Sequence, residues 1–221
     1  MTGAPAPGPT ELRERLRSAT PPEAARVVLG GELSSGGVVL RIVEVEAYGG
    51  GPDSAFPDPA AHTYRGPGPR NRVMFGDAGH LYVYLSHGIH HCANIVFRPA
   101  GEGSGVLLRA AEVVAGEELV AARREGVVGR SLARGPGNLG RALGISLDHG
   151  GTDVLDPGSP VRFTPGHLAD ELVSTGPRVG VSRASDRPWR YWVTGSPAVS
   201  AYRRSPRAPA AGTDPHDAPP D

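Results

Sequence analysis

Residues 38–47 read Val-Val-Leu-Arg-Ile-Val-Glu-Val-Glu-Ala, a run of β-branched and aliphatic side chains that predicts a strand. Side chains alternate across a strand, so Ile42, Glu44, Glu46 and Tyr48 are expected on one face and Val39, Arg41, Val43 and Val45 on the other. Two carboxylates on a strand face that should be half-buried are unusual. A buried carboxylate is costly unless it is paired or used.

Upstream of this strand, Thr10 is expected to cap a helix over Glu11–Arg17. Thr20-Pro21-Pro22-Glu23 gives a second start, with a threonine cap, proline in the first turn and glutamate three residues after the cap. That helix should end near Gly30-Gly31. Downstream, Gly49–Pro69 is a long Gly/Pro-rich loop of the kind that carries function. Strands are expected over His80–Leu85 and Cys92–Phe97, around Gly88, and over Gly105–Ala111. A helix follows over about Gly116–Arg124 and a shorter one over Leu139–Leu143, and Val161–Phe163, Val179–Val181 and Tyr191–Val193 read as late strands. The order lacks a regular βαβ repeat. It predicts an α+β fold, a single domain with a largely antiparallel sheet and flanking helices.

Length and composition set outer bounds. The 221 residues suit one domain, taken as residues 9–204. Residues 1–8 and 205–221 are Pro/Ala-rich and are expected to be disordered tails. The apolar runs fall far short of the ~18 residues a membrane span needs. The first nine residues lack the basic start and apolar core of a secretory signal. The single cysteine, Cys92, excludes an internal disulfide and fits a reducing cytosol. The 23 basic residues balance 23 acidic ones, and all 23 are arginine. Without lysine, no side-chain amine is present for Schiff-base chemistry. The charges are segregated: seven arginines against Asp186 between Arg178 and Arg207, and five acids against Arg162 between Asp148 and Glu171. Such segregation can leave one face basic while the sum cancels.

Seven motifs remain. They are Val43-Glu44-Val45-Glu46-Ala47-Tyr48 with His62; Pro69-Arg70-Asn71-Arg72-Val73-Met74-Phe75; Leu81-Tyr82-Val83-Tyr84 with Gly88, Cys92 and Asn94-Ile95; Val106-Leu107-Leu108-Arg109-Ala110; Gly135-Pro136-Gly137-Asn138-Leu139; Pro177-Arg178-Val179-Gly180; and Gly195-Ser196-Pro197-Ala198-Val199-Ser200. In this order and spacing, over about Leu16–Tyr202, the chain resembles the alkyladenine (3-methyladenine) DNA glycosylase family.

The resemblance implies a curved sheet similar to the C-terminal domain of formyltransferases, with a β-hairpin that probes DNA. It implies a monofunctional enzyme, without cofactor or metal, that flips a damaged purine from double-stranded DNA and hydrolyses its glycosidic bond. A monomer in the bacterial cytoplasm, associated with the nucleoid, is expected. Glu46 matches the general base and Arg109 an arginine that orients it and the attacking water. Tyr48, His62 and Tyr84 match the walls of the base pocket, and Asn94 matches a residue that rejects the 2-amino group of guanine. Arg70 and Arg72 are expected to serve DNA phosphates or to brace their loop. At position 87, where the family commonly places a wedging tyrosine, this chain has His87.

Blander readings stand beside these. Glu46 could pair with Arg41 or Arg72 at the strand end, and Asn94 could be a polar strand residue bonded to backbone. Two rival functions remain: a metal-dependent hydrolase built on His87, His90 and His91, and a lesion-binding module with weak or no turnover.

Overall fold

The structure, a computed structural model, describes residues 7–217. Helices α1 (Pro9–Ser18) and α2 (Pro21–Val28) precede strands β1 (Glu32–Ser35) and β2 (Val38–Tyr48). A long loop and a 3-10 turn (Arg72–Phe75) lead to β3 (Leu81–Ser86), β4 (His90–Ile95) and β5 (Gly105–Ala115). Helices α3 (Glu117–Arg123) and α4 (Pro136–Leu143) follow, then β6 (Val161–Thr164), β7 (Val173–Gly176) and β8 (Arg190–Val193).

Strand β2 organises the sheet. The strand order is β3-β4-β5-β2-β1-β6, and every pairing is antiparallel. On one edge β2 pairs with β5 along nearly its whole length. The other edge is shared: β1 takes residues Val38–Arg41, and β8 of the β7–β8 ribbon takes Glu44–Glu46. The sheet curls into an antiparallel half-barrel, and the α+β class is as expected.

The exchange of partners coincides with a break in the alternation. Ile42 faces Ala111 and Glu44 faces Ala110, which leaves Val43 as an extra residue. One step on, Glu44–Val45 face Ala110–Leu108, which leaves Arg109 extra on β5. These two bulges compensate in register and reverse the faces. Val38, Leu40 and Ile42 enter the main core, and beyond the bulge Val45 and Ala47 do so. Glu44, Glu46 and Tyr48 therefore share a face as expected, but Ile42 lies on the opposite one. A bulge is invisible to a strict two-residue period.

The helices cover the core face. Leu12 and Leu16 of α1, Ala24, Ala25 and Val28 of α2, and Leu139, Ala142 and Leu143 of α4 pack with Leu40, Ile42, Ile95, Phe97 and Leu108. Each fully buried Leu or Ile side chain contributes roughly 1.5–3 kcal/mol. Helix α4 sits so close to β4 that a Cβ on Gly140 would lie 2.0 Å from the His91 carbonyl oxygen.

Several local expectations change. Helix α1 starts at Pro9 with Gly8 as its N-cap, and Thr10 lies inside it. Proline in the first turn presets φ there without needing a side-chain cap. Val179–Val181 is a loop, not a strand. Strands β1 and β7 escape the sequence reading because each is short and largely polar. Residues 1–6 and 218–221, expected to be disordered, lie outside the described residues. Of the segment beginning at 205, the part up to Asp217 runs through turns, with Asp214 buried against Ser185.

Thr20 caps α2 as anticipated, with the reciprocal Thr20–Glu23 capping box. Thr20→Ala should cost about 1 kcal/mol in urea unfolding with an unchanged m-value.

Candidate active site

The face of β2 and β5 turned away from the helices carries charges with almost no exposure. Glu44 and Glu46 are both fully buried and Arg109 is 7% exposed. Arg109 bridges the two carboxylates, with Nε 3.0 Å from Glu44 Oε1 and an Nη donating to Glu46 Oε2 at 3.1 Å. Arg109 is the extra residue at the β5 bulge and follows Leu108, which enters the main core on the opposite face.

The two carboxylates differ in which segments hold them. Glu44 accepts four hydrogen bonds: from Arg109, from Arg190 Nε at 2.7 Å, and from the Ser200 hydroxyl and amide at 2.8 and 2.7 Å. Three of these fall on Oε1 and one on Oε2, and all come from Arg109, Arg190 and Ser200. Glu46 accepts three, from Arg109, from the Tyr48 hydroxyl at 2.9 Å and from the Val179 amide at 2.6 Å. The Arg109 guanidinium is desolvated by burial, which alone would lower its pKa. The charges of Glu46 and Glu44 outweigh this and raise it. Burial and the neighbouring Glu46 charge push the Tyr48 hydroxyl well up, so it stays protonated and donates.

Beside this network lies a cavity of about 350 Å³ lined by Tyr48, His62, Tyr84, Asn94, Leu107 and Val179 among others. The His62 ring stands edge-on to Tyr84 with centroids 4.8 Å apart, and its Nδ1 is 3.2 Å from the Tyr82 hydroxyl. Desolvation by these rings lowers the His62 pKa and favours the neutral imidazole. Through His62 and Tyr84 the cavity joins a wider groove lined by Arg65, Arg70 and the hairpin from Tyr82 to Gly88.

The sequence matches the family described as methylpurine-DNA glycosylase over residues 15–197. The chain belongs to that family. Among relatives, a protein of Nocardia farcinica is 57% identical over 198 residues, covering 87% of this chain and 92% of its own. One of Rhodococcus jostii is 58% identical over 199 residues (90% and 88%), and one of Mycobacterium tuberculosis 56% over 194 (87% and 94%). Each is named provisionally as a 3-methyladenine DNA glycosylase.

In this member of the methylpurine-DNA glycosylase family, Tyr48, His62, Tyr84 and Asn94 come together on one cavity although 46 positions separate the first from the last. Glu46 does not line that cavity. Two of its hydrogen-bond partners, Tyr48 and Val179, do. Arg41 pairs with Glu32 on the exposed side, so it is not the partner of Glu46. Asn94 is buried, and its amide donates to the Tyr82 carbonyl at 3.3 Å. Arg70 and Arg72 are exposed and form no ion pair among the described residues; Arg70 lines the groove and Arg72 opens the 3-10 turn behind it. His87 and Gly88 form the hairpin tip, both with positive φ (51° and 73°). His90 and His91 are adjacent on β4 and so point to opposite faces, away from a common centre with His87. Among the described residues no group of three His, Cys, Asp or Glu is arranged to hold a metal ion.

The sequence reading gave no role to four groups that the fold places in the site: Arg178, Asp58, Arg190 and Ser200. Arg178 and Asp58 are both fully buried and form a two-pronged pair at 2.5 and 2.9 Å. Asp58 also accepts the Gly49 amide, and Arg178 donates to the Ala47 carbonyl. The Arg178 guanidinium lies over the Tyr48 ring, 4.6 Å from its centroid. Arg178 thus clamps both ends of the Tyr48 segment. Its only signal in the sequence was its place in the Pro177–Gly180 motif.

Burial alone would raise the Asp58 pKa, but the Arg178 charge and hydrogen bonds outweigh it and leave Asp58 below its usual value. The stability gained from such a depressed carboxylate is complete above its unfolded pKa of about 4 and is lost as pH falls through the lower folded value. Arg178→Ala should strand a buried carboxylate and cost about 3–5 kcal/mol at pH 7. In thermal unfolding at pH 7, Arg178→Lys should recover only part of this loss, because a lysine cannot form the two-pronged pair.

Proposed function

We propose that the protein is a base-excision-repair DNA glycosylase that removes damaged purines by water attack on the sugar. The observation that carries this reading is that buried Glu46 is bonded to two residues lining an aromatic cavity, the Tyr48 hydroxyl and the Val179 amide, whereas no donor to Glu44 lines it.

A duplex base cannot be reached in its stack, so it must be extruded into a pocket. Tyr48, Tyr84 and His62 offer flat and edge-on surfaces for a purine, and base–aromatic stacking is worth ~1–3 kcal/mol. An electron-poor alkylated purine gains more from such walls than a normal one. In this reading Asn94, whose amide donates to the Tyr82 carbonyl, crowds a 2-amino group and so favours adenine-type lesions and hypoxanthine.

Glu46 accepts a proton from water as the water oxygen bonds to the anomeric carbon. The electron pair of the breaking glycosidic bond leaves with the base. A cationic alkylpurine departs neutral, whereas hypoxanthine or ethenoadenine departs as an anion that takes a proton from solvent. Glu46 returns its proton to solvent, and the products are a free purine and an intact abasic site. Because the transition state has oxocarbenium character, the Glu46 charge also stabilises it. Arg109 and the Val179 amide hold the carboxylate in place. With no lysine in the chain, strand cleavage by a side-chain Schiff base has no nucleophile. The substrate class in this reading is 3-methyladenine, 7-methylguanine, hypoxanthine and ethenoadenine in double-stranded DNA.

Arg65 and Arg70 line the groove that leads to the cavity and supply charge for phosphates. His87 at the hairpin tip takes the place of the intercalating wedge. Its ring is smaller and less apolar than that of tyrosine, so it offsets less of the unstacking cost. One pocket serves one flipped base, which a monomer in the bacterial cytoplasm can do. Among the described residues no helix is long and apolar enough to cross a membrane.

The deciding experiment is single-turnover cleavage of duplexes carrying hypoxanthine or ethenoadenine, in EDTA. Wild type should yield alkali-labile sites, and Glu46→Gln should bind the lesion but cleave at least about 100-fold more slowly. Binding without cleavage by wild type would mark a lesion-binding module instead. Neither cleavage nor lesion preference would refute the proposal. Separately, His87→Tyr should tighten binding to a duplex containing an abasic-site analogue; unchanged binding would remove His87 from the wedge role.

A further inference from the structure

We propose that the C-terminal segment after Arg204, which lies beyond the family match ending at residue 197, is a clasp that positions the Glu46-holding wall of the cavity, with Asp214 and Asp217 as its positioning residues. The inference rests on the glycosylase reading for its kinetic consequence only.

The wall is the loop that follows β7. It supplies Arg178 to Asp58 and Tyr48, the Val179 amide to Glu46, and Gly180 to Ser182 to the cavity lining. A loop of this length without regular structure has little rigidity of its own. Bonds within it and from outside fix it. The Gly180 amide donates to the Arg203 carbonyl, and the Arg178 guanidinium donates to the Ala184 carbonyl, which ties the start of the loop to its far end.

That far end is held by the C-terminal segment. Asp214, 6% exposed, accepts both the amide and the hydroxyl of Ser185 at 3.1 and 3.2 Å. Asp217 accepts the amides of Asp186 and Arg187 at 3.0 and 2.9 Å. Asp186 in turn accepts the Gly212 amide at 2.6 Å and pairs with Arg204. Arg187 closes the ring, donating to the His216 carbonyl on one side and to the Pro57 carbonyl, next to Asp58, on the other. Three successive backbone amides of the loop, at Ser185, Asp186 and Arg187, are therefore capped by carboxylates of a segment whose composition alone predicts disorder. Without it, those amides lose their partners and the Ala184 carbonyl loses its anchor under Arg178.

Small displacements of a catalytic group carry large rate effects. The consequence expected here is a loss of excision rate rather than of lesion capture, because no residue of the clasp or of the loop it holds lines the groove or the hairpin.

The test compares wild type, a chain ending at Arg204, Asp214→Ala, and Asp214→Asn. The readouts are single-turnover excision of hypoxanthine well below the melting temperature, affinity for a duplex with an abasic-site analogue, and hydrogen exchange of amides 178–187. Truncation and Asp214→Ala should slow excision about tenfold with affinity nearly unchanged, and should speed exchange across the loop. Asp214→Asn, which keeps an acceptor oxygen for the Ser185 amide, should restore most of both. A lower melting temperature with unaltered excision and exchange would overturn the clasp. If wild type itself does not excise, the glycosylase reading fails, and hydrogen exchange alone still decides the clasp. Should the truncated chain fail to fold, the two point variants carry the comparison.

Discussion

The arginine pair that neutralises Glu44 and Glu46 is the constraint on which the site depends. Two carboxylates with no exposure on neighbouring positions of one strand face would repel each other and resist burial. Arg109 from β5 and Arg190 from β8 supply two positive charges at bonding distance, so the cluster is neutral as a unit. Asp58 and Arg178 form a second neutral unit alongside. Breaking any one of these contacts leaves a charge stranded in a low-dielectric interior, which is why such clusters fix geometry more firmly than they add stability.

The backbone is shaped to allow this. Without the extra residues Val43 and Arg109, β2 and β5 would alternate regularly, and one strand's charges would turn into the helix-covered core. At the same level the other edge of β2 passes from β1 to β8, which brings Arg190. Strand exchange, charge balance and the orientation of Glu46 are thus one structural event.

Arginine suits these positions in a way lysine would not. Arg109 addresses two carboxylates at once, Arg178 combines a two-pronged pair with contact to the faces of Tyr48 and Trp189, and Arg190 stacks on Trp192 while bonding Glu44. Each use needs a flat, forked cation. Arg65 and Arg70, which form no ion pair among the described residues, line the groove outside the cavity, so charge is satisfied within and available without.

The sequence by itself determined the elements whose signal is local. The β-branched run of β2, the Thr20–Glu23 capping box and the turn at Gly88 each follow from residues within a few positions of one another. It also marked Glu46, Arg109 and the cavity residues through ordered motifs. Only the tertiary structure decided which carboxylate is bonded to the cavity lining and which is not, because that depends on Arg190, Ser200 and Val179, all more than 130 residues along the chain from the strand they serve. The bulges, the Asp58–Arg178 lock and the bonded C-terminal segment were hidden for the same reason. Composition and period describe what a segment prefers alone, whereas buried charge is tolerated only where distant segments bring it a partner.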